Sequence, residues 1–321
     1  MRVFVTGATG FLGRHLIDLL LSEGCQVTAL IRTFDRARSL PAAVRPISGD
    51  VSRRDSLRAG MRGAEIVFHT AAWVGRGARP KDYARLARIN VEGTRAVLEL
   101  AAELGGPRVV VTSTLEVFGS TRGQLAQEDA LPAAPPAETE YARSKYRALV
   151  DVVAPMQAAG LPVTVVCPGR LFGPGDHSDT GRLLHSYAQR RLLALAGPET
   201  AFCWTHAADA ARGHWLAATR GRPGQTYLLP GPALSYREFF ASADAVTRIP
   251  APAVYLPSSL PRLLARALQP LQPGLAETLR RFDGSANLGR PDKANAELGW
   301  QPQPLDEALR QTVEALAQVP A

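Results

Sequence analysis

Short apolar runs rich in β-branched residues alternate with helically spaced apolar positions along the first half of the chain. Strands are predicted at residues 3–6, 26–31, 66–69, 108–113 and 163–167, and helices at residues 12–22, 55–61, 82–104 and 141–159. Because parallel strands need crossover connections, this alternation predicts an α/β fold with a doubly wound parallel sheet. The run Val109-Val110-Val111 is apolar at successive positions, as in a strand that helices cover on both faces.

The pattern changes after Pro168. A loop rich in Gly, Pro and Asp is predicted at residues 173–181, a helix at 205–218, a strand at 225–229 that rejoins the main sheet, and a closing helix at 305–317. Prolines interrupt the segment between residues 256 and 282. We therefore expect a dinucleotide-binding domain at residues 1–170, to which 205–229 returns. A smaller, mostly helical substrate domain is expected at residues 171–204 and 230–321.

The composition is that of a globular protein. The chain has 321 residues, of which 46% are hydrophobic and 21% are charged. No apolar run is long enough to span a bilayer, and the N-terminus enters a strand-like segment without the features of a secretory signal. These features predict a cytoplasmic protein with no membrane span.

Charge and metal-ligating residues exclude several functions. The three cysteines and six histidines are scattered, so neither a disulfide framework nor a metal site is expected. The net charge is +8, but the basic residues are spread along the chain and not grouped with aromatics, so a small-molecule substrate is favoured over nucleic acid. Lys81, Lys145 and Lys293 are the only lysines, which makes a lysine in a patterned position more informative.

A glycine-rich turn follows the first predicted strand and opens the first predicted helix. It reads Gly7-Ala8-Thr9-Gly10-Phe11-Leu12-Gly13. Such glycines permit a tight turn and let backbone N–H groups approach a pyrophosphate at the helix N-terminus. The predicted cofactor contacts in this turn are Gly7, Thr9, Gly10, Phe11, Leu12 and Gly13.

The end of the second predicted strand bears on the choice of dinucleotide. An acidic residue that binds the ribose 2′-hydroxyl is usual about 20 residues after the glycine turn, but here the residue is Arg32. A guanidinium favours the 2′-phosphate of NADP(H), with Arg14, Arg36 and Arg38 adding charge nearby. Asp35 keeps NAD possible. Asp50 and Val51, after the next strand-like segment, are predicted beside the adenine. A turn or a helix cap is the alternative role for Asp50.

Tyr141 and Lys145 are four residues apart in a predicted helix and therefore share one face. The lysine charge is expected to lower the pKa of the phenol and to hold the nicotinamide ribose. A hydroxyl from Thr112-Ser113-Thr114, at the end of the preceding strand, is expected to orient a substrate oxygen.

Together these segments resemble the extended short-chain dehydrogenase/reductase family, that is, the NAD-dependent epimerase/dehydratase group. The matching motifs are Gly7–Gly13, Asn90–Thr94, Ser113-Thr114 with Phe118-Gly119, Tyr141–Lys145, Pro168–Asp176, Thr205–Asp209 and Ala294–Pro302. The resemblance implies a Rossmann-type fold and a nicotinamide cofactor. It also implies a triad of Thr114, Tyr141 and Lys145, with Ser113 as the alternative hydroxyl, and Pro168 beside the nicotinamide. Homodimers that pair two helices are common in this family.

Departures from the family pattern limit the types of reaction that are expected. Leu115 and Glu116 stand where dehydratases carry an Asp-Glu pair, so dehydration is not expected. The segment at residues 250–285 is more similar to the 3β-hydroxysteroid dehydrogenase-like and flavonol-reductase-like branches. Its leucine and arginine helices are compatible with a membrane surface, but packing in the small domain is favoured.

Other side chains near the expected cleft are weaker candidates for substrate contacts. They are Trp73, Glu116, His177 and Trp204, each of which also fits an ordinary loop or core position.

Three functions are compatible with these residues. The favoured one is an NADP(H)-dependent oxidoreductase that transfers a hydride to or from a carbonyl or secondary alcohol of a small molecule. The second is a nucleotide-sugar epimerase with tightly bound NAD. The third is a non-catalytic NADP-sensing protein.

Overall fold

The computed structural model describes residues 1–75, 80–136 and 139–318. The strands are β1 (Arg2–Thr6), β2 (Gln26–Ile31), β3 (Arg45–Ser48), β4 (Ile66–His69), β5 (Arg108–Thr112), β6 (Val163–Pro168), β7 (Arg170–Phe172), β8 (Ala194–Ala196), β9 (Ala201–His206), β10 (Thr226–Leu229), β11 (Ala233–Ser235), β12 (Val254–Leu256) and β13 (Ala286–Asn287). The helices are α1 (Phe11–Ser22), α2 (Arg58–Met61), α3 (Pro80–Leu86), α4 (Gly93–Glu103), α5 (Glu140–Arg147), α6 (Ala154–Ala158), α7 (Asp179–Ala188), α8 (Ala207–Thr219), α9 (Tyr236–Thr247), α10 (Ser259–Leu268), α11 (Pro273–Arg280) and α12 (Leu305–Ala317).

Seven strands form the main sheet in the order β3-β2-β1-β4-β5-β6-β10. Every pairing within it is parallel. The order reverses direction between β1 and β4, and ligands of open parallel sheets bind at the carboxyl ends of strands beside such a reversal. The predicted doubly wound Rossmann-type fold is confirmed.

Two apolar cores cover the two faces of this sheet. One packs α1 and α8 against the sheet around Leu16, Ile17 and Tyr227, and the other packs α4 and the α5–α6 region around Val97 and Val109. Because β5 and β6 contact helices on both faces, their continuous apolar sequences are buried.

The two long helices of the main domain contain π-helical turns. Ala87–Glu92 joins α3 to α4, and Ala148–Val153 joins α5 to α6. The predicted helices at residues 82–104 and 141–159 are therefore present, each with a local change of register.

Two predictions for the second half were wrong in detail. Thr205 and His206 end strand β9 and are not helical; helix α8 begins only at Ala207. Their apolar neighbours pair with β7, β11 and β13, which explains the extended backbone. The predicted loop at residues 173–181 ends at Ser178, whose side chain caps α7.

The remaining part of the chain builds a smaller unit with its own core. Helices α7, α9 and α12 surround Trp204, Phe239 and Leu309. Its sheets are the β11-β9-β13 group with β7, and the β8–β12 pair. In contrast, Ala294, Leu298 and Trp300, which the sequence division assigned to this unit, pack in the core of the main sheet. Within the described ranges, no helix combines the length and the apolar character needed to cross a membrane.

Candidate active site

The glycine turn between β1 and α1 leaves no room for side chains. A Cβ on Gly7 would lie 2.6 Å from the Ala71 nitrogen, and one on Gly13 would lie 2.1 Å from the Gly7 carbonyl oxygen. Gly7 also has a φ of +76°, which glycine adopts without strain. Gly10 is the N-cap of α1 and has no side chain to bind the first N–H groups of the helix. These N–H groups therefore face the cleft and are available to bind an anion.

A cavity of about 250 Å³ extends from this turn along the ends of β2 and β3. Its lining includes the predicted residues Gly7, Thr9, Gly10, Arg32, Asp50 and Val51, together with Trp73. Arg32 is exposed at the end of β2, where NAD-preferring proteins carry an acidic residue. Arg14 and Arg38 line an adjoining cavity, and Asp35 is exposed. The side chain of Arg36 lies outside the described part of the structure.

Asp50 forms a turn, which was one of the alternatives to a contact with adenine, and it does not cap a helix. Its Oδ1 accepts hydrogen bonds from the Ser52 nitrogen at 2.9 Å and the Ser52 hydroxyl at 2.7 Å. Burial raises the pKa of Asp50, but these bonds and the charges of Arg88 and Arg32 outweigh burial and bring it below its usual value. Asp50 is therefore a fixed carboxylate at the edge of the cavity.

A larger cleft of about 550 Å³ joins the glycine turn to the carboxyl ends of β5 and β6. It is lined by the remaining predicted residues Phe11, Leu12, Gly13, Thr114, Tyr141, Lys145 and Pro168, and also by Ser113, Glu116, Arg170 and His177. Tyr141 is in the first turn of α5 and Lys145 is one turn later, so both side chains face the cleft.

Thr114 and Ser113 have different surroundings at the end of β5. Thr114 begins the 3-10 turn Leu115–Phe118, and its Oγ1 accepts from the Glu116 nitrogen at 3.2 Å, which leaves its proton for another acceptor. Ser113 lines the same cleft, and its buried Oγ has no hydrogen-bond partner among the described residues. Both hydroxyls therefore keep a proton for a ligand in the cleft, and the structure alone does not choose between Thr114 and its alternative Ser113.

Lys145 is almost fully buried. Its Nζ donates to the Thr112 carbonyl oxygen at 2.6 Å, which uses one of its three protons. Burial lowers the pKa of Lys145 to about 8.

Tyr141 does not have the lowered pKa that the sequence predicted. Burial and the charge of Glu116 raise the pKa of Tyr141 well above its usual value of 10, and the opposing effect of Arg281 is smaller. Lys145 donates to the Thr112 carbonyl oxygen, and its charge is not one of the causes that shift the pKa of Tyr141. Tyr141 is thus a neutral proton donor in this state of the protein.

Sequence reasoning missed His69, which links the nucleotide side of the cleft to helix α5. Thr94 donates to the Asn90 carbonyl oxygen at 2.7 Å, so its Oγ1 accepts from His69 Nε2 at 3.0 Å. Nδ1 of His69 therefore accepts from the Thr6 hydroxyl at 2.8 Å. Burial, aided by the charge of Lys145, lowers the pKa of His69 to about 3, so the imidazole stays neutral.

Asn90 extends this network to the loop after β4 and to α5. Its amide bonds both backbone groups of Trp73 at 2.8 and 2.9 Å and donates to the Ser144 hydroxyl at 2.8 Å. Ser144 in turn donates to the Tyr141 carbonyl oxygen at 2.7 Å. Asn90 therefore fixes backbone segments around the cleft.

His214 supports Lys145 from the opposite face of the sheet, and sequence reasoning missed it too. Its Nδ1 donates to the Ala210 carbonyl oxygen at 2.7 Å, so Nε2 accepts from the Thr112 hydroxyl, also at 2.7 Å. Burial lowers the pKa of His214 to about 4. Thr112, whose carbonyl oxygen accepts from Lys145, is thus also held through its side-chain hydroxyl.

Beyond Tyr141, the cleft continues into a second cavity with polar and apolar walls. Its lining includes Glu116, Thr139, Ala142, Arg170, Phe202, Arg280, Arg281, Ala286 and Asn287. The Arg170 guanidinium lies 3.7 Å from the centre of the Phe202 ring, and Arg281 pairs with Asp179 at 2.7 Å. Trp204, in contrast, is buried and stacks on Phe239 at 3.8 Å, so it is a core residue.

These residues fit a dinucleotide. The glycine turn leaves no space for a Cβ, and the N-terminus of α1 has no side-chain cap. Arg32 and Asp50 lie at the far end of the groove that continues from this turn. Among the described residues, no three His, Cys, Asp or Glu side chains are grouped as a metal site would require.

Three curated proteins are similar over almost their entire length. A 4-hydroxy-2-methyl-3-oxo-4-farnesyl-3,4-dihydroquinoline-1-oxide ketoreductase of Stigmatella aurantiaca is 32% identical, with 94% of this chain and 92% of that protein covered. Sterol demethylase protein B of Methylococcus capsulatus is 31% identical, with 94% of each covered. A putative dihydroflavonol 4-reductase of Synechocystis is 31% identical, with 97% and 93% covered.

Solved structures have the same fold. The crystal structure of gox2253 superposes with a TM-score of 0.83 at 28% identity, covering 98% of both chains. UDP-glucose 4-epimerase of Thermus thermophilus, solved with NAD, superposes with a TM-score of 0.78 at 22% identity, covering 99% of both chains.

The model of the NAD dependent epimerase/dehydratase family matches residues 3–229, which include the glycine turn, Thr114, Tyr141 and Lys145. The resemblance found in the sequence is thereby confirmed. With its parallel sheet and its cleft, the chain belongs to this family and is an NAD(P)-dependent enzyme of the extended short-chain dehydrogenase/reductase type.

Proposed function

We propose that this enzyme is an NADP(H)-dependent ketoreductase that reduces a carbonyl on a largely apolar ring substrate. The observation that carries the proposal is the convergence of Thr114, Tyr141 and Lys145 on one cleft with the uncapped N-terminus of α1. When bound, a reduced nicotinamide supplies a hydride to the carbonyl carbon. The protein residues have to hold the carbonyl oxygen and deliver one proton to it.

Tyr141 is proposed as the proton donor. Its raised pKa keeps the phenol protonated at neutral pH, as a donor in the reduction direction must be. The phenolic proton passes to the carbonyl oxygen as that oxygen gains negative charge, and Thr114 donates a hydrogen bond to the same oxygen. Both groups stabilise charge that develops only as the reaction proceeds.

Lys145 is proposed to hold the nicotinamide ribose and to stabilise the Tyr141 phenolate after proton transfer. Its Nζ keeps two protons after binding the Thr112 carbonyl, which are enough for these contacts. Its pKa of about 8 also lets it exchange a proton near neutral pH, so it can help restore the phenol.

Arg32 supports the preference for NADP(H). It lies on the cavity that runs from the glycine turn past Asp50, and a planar guanidinium binds a 2′-phosphate through charge-assisted hydrogen bonds. Asp35, the acidic residue after β2 that kept NAD possible, is exposed and does not line this cavity.

The lining of the second cavity supports the substrate class. Ala142, Phe202 and Ala286 provide apolar surface next to Arg170 and Arg281. The relatives named as a farnesyl dihydroquinoline ketoreductase and a dihydroflavonol reductase are also named for oxygenated ring compounds.

Cofactor analysis tests the proposal. We expect the purified protein to lack retained dinucleotide in its mass spectrum, to bind NADPH more tightly than NADH, and to oxidise one NADPH for each cyclic ketone reduced. Tightly retained NAD without net NADPH consumption would instead indicate the epimerase. Binding without turnover on any ketone would indicate a sensor.

We also propose that two copies pair through the long helices that contain α4 and α5. Val150, in the π-helical turn after α5, is an exposed apolar residue on these helices. Light scattering on the purified protein should give twice the monomer mass, and Val150→Glu should lower that mass if this pairing is correct.

A further inference from the structure

Exposed apolar side chains are concentrated in one region of the small unit. Of the twelve large apolar residues that the described chain exposes, eight lie at residue 193 or between residues 254 and 275. They are Leu193, Val254, Leu256, Leu260, Leu263, Leu264, Leu271 and Leu275, which we call the leucine surface. Leu263 is 65% exposed and Leu271 is 79% exposed. Packing in the small domain, which the sequence favoured, therefore does not account for them.

The leucine surface belongs to connected elements. Strands β8 and β12 pair in parallel, and the Val254 nitrogen donates to the Leu193 carbonyl oxygen. β12 ends just before α10, and α10 packs against α11 as a helical hairpin. Only Pro261 and Ala265 of α10 are buried, so most of this helix projects from the protein.

The chain segments that carry the leucine surface contain basic residues but no acidic ones. Residues 189–197 and 248–276 contain five arginines and no aspartate or glutamate. Arg190 and Arg191 are exposed just before Leu193, and Arg266 is exposed on α10. On the helix, Arg266 is 60° from Leu263 by the usual 100° per residue, which puts it at the edge of the leucine face. Long arginine side chains at this edge suit an interface between acyl chains and anionic headgroups.

From this pattern we infer that the leucine surface docks the protein on an anionic lipid bilayer, with α10 lying in the membrane interface. A second copy of the chain is a poorer occupant, because twofold pairing would bring together segments that contain arginines and no acidic residue of their own. The hairpin also reaches the cleft: Arg280 ends α11 and, with Arg281, lines the second cavity. Docking would thus bring the mouth of that cavity close to the bilayer. This surface stands independently of the proposed ketone reduction.

Vesicle sedimentation of the full-length protein tests the inference. We expect the wild type to sediment with vesicles of mixed phosphatidylglycerol and phosphatidylcholine, and much less with phosphatidylcholine alone. Raising NaCl from about 0.1 M to about 0.5 M should weaken the binding. The double variant Leu263→Glu/Leu271→Glu should reduce partitioning by roughly tenfold or more. Because both positions are exposed, its melting temperature and NADPH affinity should match those of the wild type.

Two further variants make the test specific. Leu125→Glu changes another exposed leucine, 40% exposed and outside the leucine surface, and should bind vesicles like the wild type. Arg191→Gln/Arg266→Gln should lose binding to the anionic vesicles by several-fold while keeping the fold. Absence of wild-type binding, or equal binding by the Leu263→Glu/Leu271→Glu variant, would overturn the inference. A wild-type oligomer that this variant dissociates, without vesicle binding, would assign the surface to a second copy instead.

Discussion

The two walls of the cleft are held in different ways. The sheet wall comprises the ends of β1, β4 and β5 together with α5, and buried hydrogen bonds hold it through His69, Asn90 and His214. The hairpin wall comprises residues 259–289, and ion pairs near the surface such as Arg281–Asp179 help to hold it beside exposed leucines. In the proposed function, the groups that align with the cofactor lie on the sheet wall, and Arg281 and Ala286 of the hairpin wall add contacts to the substrate. In that proposal, the sheet wall carries the groups for the reaction, and the hairpin wall contributes to the choice of substrate.

The largest effect is expected on the sheet wall. Tyr141→Phe removes the proposed proton donor and should lower kcat by roughly a thousandfold or more, while the Kd for NADPH changes little. Tyr146→Phe is the matched control, since the Tyr146 hydroxyl donates only to the Pro132 carbonyl oxygen among its described contacts. Comparable losses in both variants would mean that α5 is merely destabilised.

Cofactor choice is the next test of the sheet wall. Arg32→Asp replaces the proposed 2′-phosphate ligand with the residue type that binds a ribose hydroxyl. The ratio of NADPH to NADH in kcat/KM should change by roughly a hundredfold towards NADH. Arg45→Asp, at the start of β3 and outside the cavity lining, is the charge-matched control. An unchanged ratio for Arg32→Asp would remove Arg32 from the site.

Glu277, on the hairpin wall, is expected to make the free energy of unfolding depend on pH. It is buried in α11, and none of the described residues hydrogen-bonds to its Oε1. Burial raises its pKa to about 7 despite the charges of Arg281 and Arg143. The folded protein therefore holds this proton to higher pH than the unfolded chain, and the free energy of unfolding falls as pH rises from about 4 to about 7.

Glu277→Gln should remove this fall in the free energy of unfolding, because the amide does not titrate. Relative to the wild type, its free energy of unfolding should be similar near pH 5 and higher by about 2 kcal/mol at pH 8, measured by denaturant titration. Glu199→Gln, at an exposed position, should show no such trend. A gain that is constant with pH would show that the carboxyl does not titrate in this window.

The smallest effect is expected for a substrate contact on the hairpin wall. Arg281→Gln should raise KM for the ketone by roughly threefold to tenfold with little change in kcat. Arg182 also pairs with Asp179 but does not line the second cavity, so Arg182→Gln is the control. A fall in kcat alone for Arg281→Gln would place this residue in the chemistry and weaken the distinction between the walls.

Local patterns predicted the sheet wall well and the hairpin wall poorly. The strand at residues 26–31 and the glycine turn are specified by apolar runs and by glycines that no other residue can replace. His69 and His214 were missed because their partners, Thr94 and Thr112, are 25 and 102 residues away. Such contacts depend on how the sheet and its helices pack, which local sequence does not encode.

Two other errors have the same origin. Tyr141 was predicted to have a lowered pKa from its spacing to Lys145, but burial and the charge of Glu116 raise that pKa. The leucines of α10 were expected to pack because their spacing is that of an amphipathic helix. An amphipathic pattern shows that an apolar face exists but does not show what covers it.

Transfer of deuterium from NADPH that carries deuterium in place of both hydrogens at nicotinamide C4 is the most direct test of net ketone reduction. For the wild type with a cyclic ketone, the account predicts one deuterium on the carbinol carbon of the product and one NADPH consumed for each alcohol formed. Deuterium that stays in a dinucleotide retained by the protein, with no alcohol formed, would contradict net reduction in this cleft.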